Sequence, residues 1–108
     1  GYTPLILAAQ IGAHESLRKL LAFGLEIESH DLKNSTPLHW AANNGHVDAV
    51  TCLLEHGALL EARGAGNNTT LNFAVMHGKG AVVELLLKKN AGVNARNNKG
   101  LNALDIAI

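Results

Sequence analysis

The sequence repeats itself every 33 residues, and no other feature constrains the fold as strongly. Thr3-Pro4-Leu5-Ile6-Leu7-Ala8-Ala9 returns as Thr36-Pro37-Leu38-His39-Trp40-Ala41-Ala42 and again as Thr69-Thr70-Leu71-Asn72-Phe73-Ala74-Val75. A shortened copy runs Asn102-Ala103-Leu104-Asp105-Ile106-Ala107-Ile108. The starts at 3, 36, 69 and 102 leave no room for an insertion. Other columns keep the same step: Gly12, Gly45 and Gly78; Leu20-Leu21, Leu53-Leu54 and Leu86-Leu87; Gly24, Gly57 and Asn90; Gly1, Asn34, Asn67 and Gly100. A fixed period of this size marks units that stack on one another because none can bury its own apolar face. The chain is read as a single domain, 1–108, with repeats at about 1–33, 34–66 and 67–99 and a partial one at 100–108.

Each period predicts two short antiparallel helices and a turn. Thr36 is suited to cap a helix, since its hydroxyl accepts a backbone N–H of the first turn. Pro37 follows at the position where a missing N–H costs nothing. Leu38, Ala41 and Ala42 share one face, and the small alanines admit a neighbouring helix. Gly45 ends this helix in a left-handed conformation. Val47, Val50, Leu53 and Leu54 form the apolar face of a second helix, which Gly57 closes. Residues 58–66 lack helical periodicity and bridge to the next Thr, with Gly or Asn suited to positive φ in a tight turn. The expected architecture is all-α: a solenoid of stacked antiparallel helix pairs joined by short β-turn or hairpin fingers.

At Thr36-Pro37-Leu38-His39-Trp40-Ala41-Ala42, with Gly45-His46 and Leu53-Leu54-Glu55-His56-Gly57-Ala58, the sequence resembles the ankyrin repeat. The likeness covers the whole chain in motif, order and period. Ile6, Asn72 and Asp105 replace the family's first-helix histidine, Thr70 and Ala103 its proline, and Asn34 and Asn67 its turn glycine; these changes are expected to soften individual caps. The resemblance implies a non-catalytic scaffold that binds a protein partner through a concave surface made of fingers and first-helix faces. Carried onto this chain, the finger positions are Tyr2, Leu32, Lys33, Ser35, Ala65, Gly66, Asn68, Asn98, Lys99 and Leu101. The helix positions are Gln10, Ile11, Asn43, Asn44, Met76 and His77. These columns also vary most between the repeats. Tyr2, Ile11, Met76 and His77 are expected in the contact patch, since interface energy concentrates in a few anchors.

Composition narrows the alternatives. Nine Lys+Arg balance nine Asp+Glu, so the net charge is 0, against the basic excess of nucleic-acid binders. The aromatic share is 4%, so the core must be aliphatic. A single cysteine, Cys52, excludes an internal disulfide framework and fits a reducing compartment, cytoplasmic or nuclear. No signal pattern or membrane-length apolar run is present. No nucleophile–base set, metal-ligand spacing or phosphate loop appears, so no enzyme activity, cofactor, metal or small-molecule ligand is expected.

Individual residues have plain readings. His39 sits at the third helical position, where its ring can bridge cap groups. Cys52 is expected to be a half-buried packing residue. Trp40 aligns with Leu7 and Phe73, so packing is favoured over ligand stacking, although its indole N–H can reach the concave side. Asn34-Ser35-Thr36 and the Asn67/Asn68 matches to a glycosylation pattern are chance matches in Asn-rich turns. Asn94, at a position hydroxylated in some family members, is assigned a loop hydrogen bond. The third repeat is about +4 from five basic and one acidic residues. Its Lys79, Lys88 and Lys89 read as a solvated outer face, with a weak acidic-partner contact as the alternative. The apolar stripe Leu104, Ala107 and Ile108 suggests a piece of a longer array. A structural spacer in such an array, or a regulatory module beside an enzyme or channel, is the competing function.

Overall fold

The computed structural model describes residues 3–107. Its helices are α1 (Pro4–Ile11), α2 (His14–Ala22), α3 (Pro37–Asn43), α4 (Val47–Glu55), α5 (Thr70–Met76), α6 (Gly80–Lys88) and α7 (Ala103–Ala107). A 3-10 turn spans Ala65–Asn67. Among the described residues there is no strand.

The caps explain where the first helices begin. Thr3, Thr36 and Thr69 have extended backbones, and their hydroxyls accept the N–H groups of Ile6, His39 and Asn72 at 3.1, 3.4 and 3.2 Å. In the fourth copy Asn102 does this work: its Oδ1 accepts from Asp105 N at 2.9 Å, while Asp105 Oδ2 accepts from Asn102 N at 3.0 Å. Asp105 thus completes a reciprocal cap rather than softening it, because a carboxylate accepts as readily as an imidazole nitrogen.

Helix ends and finger turns follow the glycine and asparagine columns. Gly12, Gly45 and Gly78 have φ of 76, 77 and 66°, and Asn34, Asn67 and Asn90 are held at 69, 62 and 64°. Asn tolerates this left-handed region better than most residues, so the asparagines keep the turn.

The helices form two layers. α1, α3, α5 and α7 pack successively as one, and α2, α4 and α6 as the other. Leu5, Leu38 and Leu71 are buried at matching places between the layers, with Leu17, Val50, Leu53, Val82 and Leu86. Ala9, Ala41, Ala42 and Ala74 are also buried, which is what close helix approach demands. Leu20 is only half-buried, although Leu53 and Leu86 are fully enclosed, and it lines a hollow between α1 and α2. Cys52 is fully rather than half buried, and its burial pushes the thiol above its ordinary pKa.

Fingers project from one edge of the first-helix layer. Each is a tight loop closed twice: Asp31 N to Ser35 O and Asn34 N to Asp31 O, both 3.0 Å; Gly64 N to Asn68 O and Asn67 N to Gly64 O, both 2.9 Å; Asn97 N to Leu101 O and Gly100 N to Asn97 O, both 2.9 Å. The pattern is a turn followed by one left-handed residue, which carries Asn34, Asn67 or Gly100.

Candidate functional site

Between the fingers and the first helices lies a pocket of about 390 Å3, lined by residues of all three full repeats. Leu32, Lys33 and Ser35 of one finger, Ala65 of the next, Trp40 and Asn43 of α3, and Phe73 of α5 line it, with Asp31 and His39.

The walls are fixed by hydrogen bonds that the loop geometry creates. Asp31 Oδ1 accepts the backbone N–H groups of Lys33 and Ser35 at 2.9 and 3.0 Å. Its Oδ2 accepts the Trp40 indole N–H at 2.9 Å, which pins the ring against the finger. Burial alone would raise the Asp31 carboxyl, but the bonds from Trp40, Ser35 and Lys33 together outweigh it and hold the group below its ordinary 3.8.

His39 forms the floor. Its Nδ1 accepts the Thr36 N–H at 3.0 Å, so the other nitrogen carries the proton and donates to Ala62 O at 2.8 Å. The ring also meets Phe73 with centroids 5.3 Å apart. Burial pushes the imidazole below its ordinary 6.5, against the opposing effects of the Ala62 carbonyl and the Asp31 carboxylate. A neutral, doubly bonded ring buried this well is a structural clamp.

The neighbouring finger makes the space. A Cβ on Gly64 would lie 2.7 Å from His39 Nδ1 and 3.1 Å from Ser35 Oγ, so glycine is needed where Asp31 and Asn97 stand in the sister fingers. With Gly64 and Ala65 offering almost no side chain, the pocket stays open.

The family of the fold is decided by two family models. One for ankyrin repeats in three copies matches residues 1–64, and one for ankyrin repeats in many copies matches residues 53–107. The chain belongs to the ankyrin repeat family. No curated protein matches it. Ankyrin repeats generally mediate protein–protein interaction and their domains are typically non-catalytic. Among the described residues no helix is long and apolar enough to cross a membrane.

The ankyrin-derived contact positions divide into groups. Leu32, Lys33, Ser35, Asn43 and Ala65 converge on the pocket. Ser35 and Asn68, however, are buried: Ser35 Oγ accepts from Ala65 N at 3.2 Å, and Asn68 Oδ1 accepts from Asn97 Nδ2 at 2.9 Å. Both stitch one finger to the next instead of facing outward. Ile11 is exposed, but it lines a separate hollow with Leu7, Leu20 and Lys19 at the α1–α2 end, away from the pocket. Asn44 donates to the Gln10 carbonyl at 3.0 Å, so that pair serves partly to link repeats. Gly66, Met76, His77, Asn98, Lys99 and Leu101 are exposed. Tyr2 lies outside the described residues.

Sequence reasoning missed Asp31 and Phe73 and read Trp40 mainly as packing. The signal for Asp31 was available, since an Asp two residues before Lys33 in a turn favours an Asx bond. Its bond to Trp40, nine residues on, had no such local signal.

Proposed function

We propose that this chain is a non-catalytic binding module that holds a segment of a protein partner in the groove between its fingers and first helices. The reading is carried by the pocket at Trp40: an apolar wall, a rigid polar rim and an adjoining exposed Leu32, on a fold whose family binds proteins. Leu32 is 91% exposed, and an aliphatic side chain so open beside a lined recess is a natural contact point. The contact set that follows is Leu32, Lys33, Trp40, Asn43 and Ala65, extended along the groove by Gly66, Met76, His77, Asn98, Lys99 and Leu101, with Gln10 at the far end.

The test is a selection of random twelve-residue peptides displayed against the intact chain, followed by binding measurements on variants with unchanged melting temperature. Ala65→Phe fills the pocket and Leu32→Ala removes its rim. Enriched peptides should lose about tenfold or more in affinity for either variant, roughly 1.4 kcal/mol. Trp40, the one tryptophan, gives an independent fluorescence readout. Peptides whose binding ignores both variants, and also Met76→Asp with His77→Glu, would overturn the reading.

A further inference from the structure

The balanced total charge hides a division within the molecule. Helices α1, α3 and α5 contain no Asp, Glu, Lys or Arg, so the floor of the groove has no formal charge of its own. The fingers therefore set its field. Spanning 29–36, 62–69 and 95–102, they hold four basic residues, Lys33, Arg63, Arg96 and Lys99, against one acid, Asp31. That is a net +3 on the finger edge and −3 on everything else. Asp31 is already committed to the Trp40 indole and two backbone N–H groups, and Asp105 pairs with Arg96 at 3.3 Å. Among the described residues Lys33, Arg63 and Lys99 form no ion pair.

The arginines are held rather than loose. Arg63 donates to Asn67 O at 3.0 Å and to Arg96 O of the next finger at 2.7 Å, and Arg96 repeats the bond to Gly100 O at 2.6 Å. Backbone carbonyls fix Arg63 without neutralising it, whereas Arg96 also pairs with Asp105, so the unpaired positive charge of the finger edge is that of Lys33, Arg63 and Lys99. Resting on the groove reading above, we propose that the partner segment is acidic and extended, with an apolar side chain seated against Trp40 and carboxylates facing Lys33, Arg63 and Lys99. Neither feature suffices alone: the pocket supplies the anchor, and the finger row selects the flanking charge and speeds encounter.

The peptide selection described above separates this inference from the reading on which it rests. Enriched sequences should carry an excess of Asp and Glu around one aromatic or large aliphatic residue. A synthetic acidic twelve-mer with a central Phe should change Trp40 fluorescence and bind about tenfold more tightly than its Phe→Ala version. The double variant Lys33→Glu with Lys99→Glu should weaken it by at least that factor, and so should raising salt from about 50 to 300 mM. Arg63 and Arg96 are left intact because they brace the fingers. Groove-dependent peptides that are neutral or basic, or acidic ones indifferent to the Lys33/Lys99 variant, would overturn the acidic-segment proposal and leave the groove reading standing. Peptides insensitive to every groove variant would overturn both.

Discussion

The second and third repeats share a backbone plan and differ in how they close it. In the second, Pro37 starts α3 and His39 ties the cap to the Ala62 carbonyl at 2.8 Å. In the third, Thr70 and Asn72 stand in those places. Asn72 reaches the corresponding carbonyl, Ala95 O, at 3.4 Å, while Thr70 Oγ1 and Asn72 Oδ1 are buried with no hydrogen-bond partner. The fingers beyond compensate. The long imidazole excludes a side chain at Gly64, whereas in the column of the shorter Asn72 the finger carries Asn97, whose Oδ1 accepts from Lys99 N and Leu101 N. One architecture therefore tolerates two capping schemes, provided that cap and finger are chosen together. Asp105 offers a third, local to its own turn.

Removing the clamp should have the largest effect. His39→Ala takes away three cap and finger contacts and strands the Thr36 N–H and Ala62 carbonyl, so denaturant unfolding should show a loss of about 3 kcal/mol. Asn72→Ala should cost about 1 kcal/mol, since its bond is long and half its amide is unsatisfied already. The same histidine sets a pH dependence. Its folded pKa is depressed, so the unfolded chain takes up the proton first; His39 favours the fold fully above about 6.5 and loses that contribution as pH falls through and below this value. Melting temperature against pH should fall less steeply in His39→Asn than in the parent; equal slopes would contradict the clamp.

Next in size is the coupling between cap and finger. Gly64→Ala should destabilise the chain by about 2 kcal/mol, because the new Cβ meets His39 Nδ1 at 2.7 Å and the backbone there has no positive φ to blame. The same substitution in His39→Asn should cost much less, and a double-mutant cycle reads the difference. Independent costs would mean that Gly64 is not chosen by the histidine. The smallest effect is a gain: Thr70→Pro removes a buried, unpaired hydroxyl and restores the first-turn proline, raising stability by about 1 kcal/mol in the same assay. A loss would show that the third repeat needs its threonine.

Much of the scaffold was legible in advance because it depends on local chemistry repeated at fixed spacing. Thr36 and Pro37 name a helix start, Gly45 an end, and the leucine columns a core, each from neighbours within one turn. The candidate site was less legible. Leu32 and Ala65 were placed at the groove by period alone, yet Ser35 and Asn68, at equally periodic finger positions, turn inward to bond the next finger. Ile11, also placed there by period, instead lines a separate hollow with Leu7, Lys19 and Leu20. The third repeat's lysines cluster along the sequence, whereas Arg63 and Arg96 lie one period apart and become neighbours only through stacking.

The sequence by itself determined the period, the helix pairs, their caps and the column of residues that must be small or apolar. These are set by backbone hydrogen bonding and burial within a single unit, and repetition reinforces them. The tertiary structure alone decided which polar side chains face out, that Trp40 and Asp31 lock a pocket wall, and that Arg63 reaches across to the finger of Arg96. Those outcomes depend on distances between units, and a linear spacing of 33 residues becomes a spatial spacing only when the rungs stack.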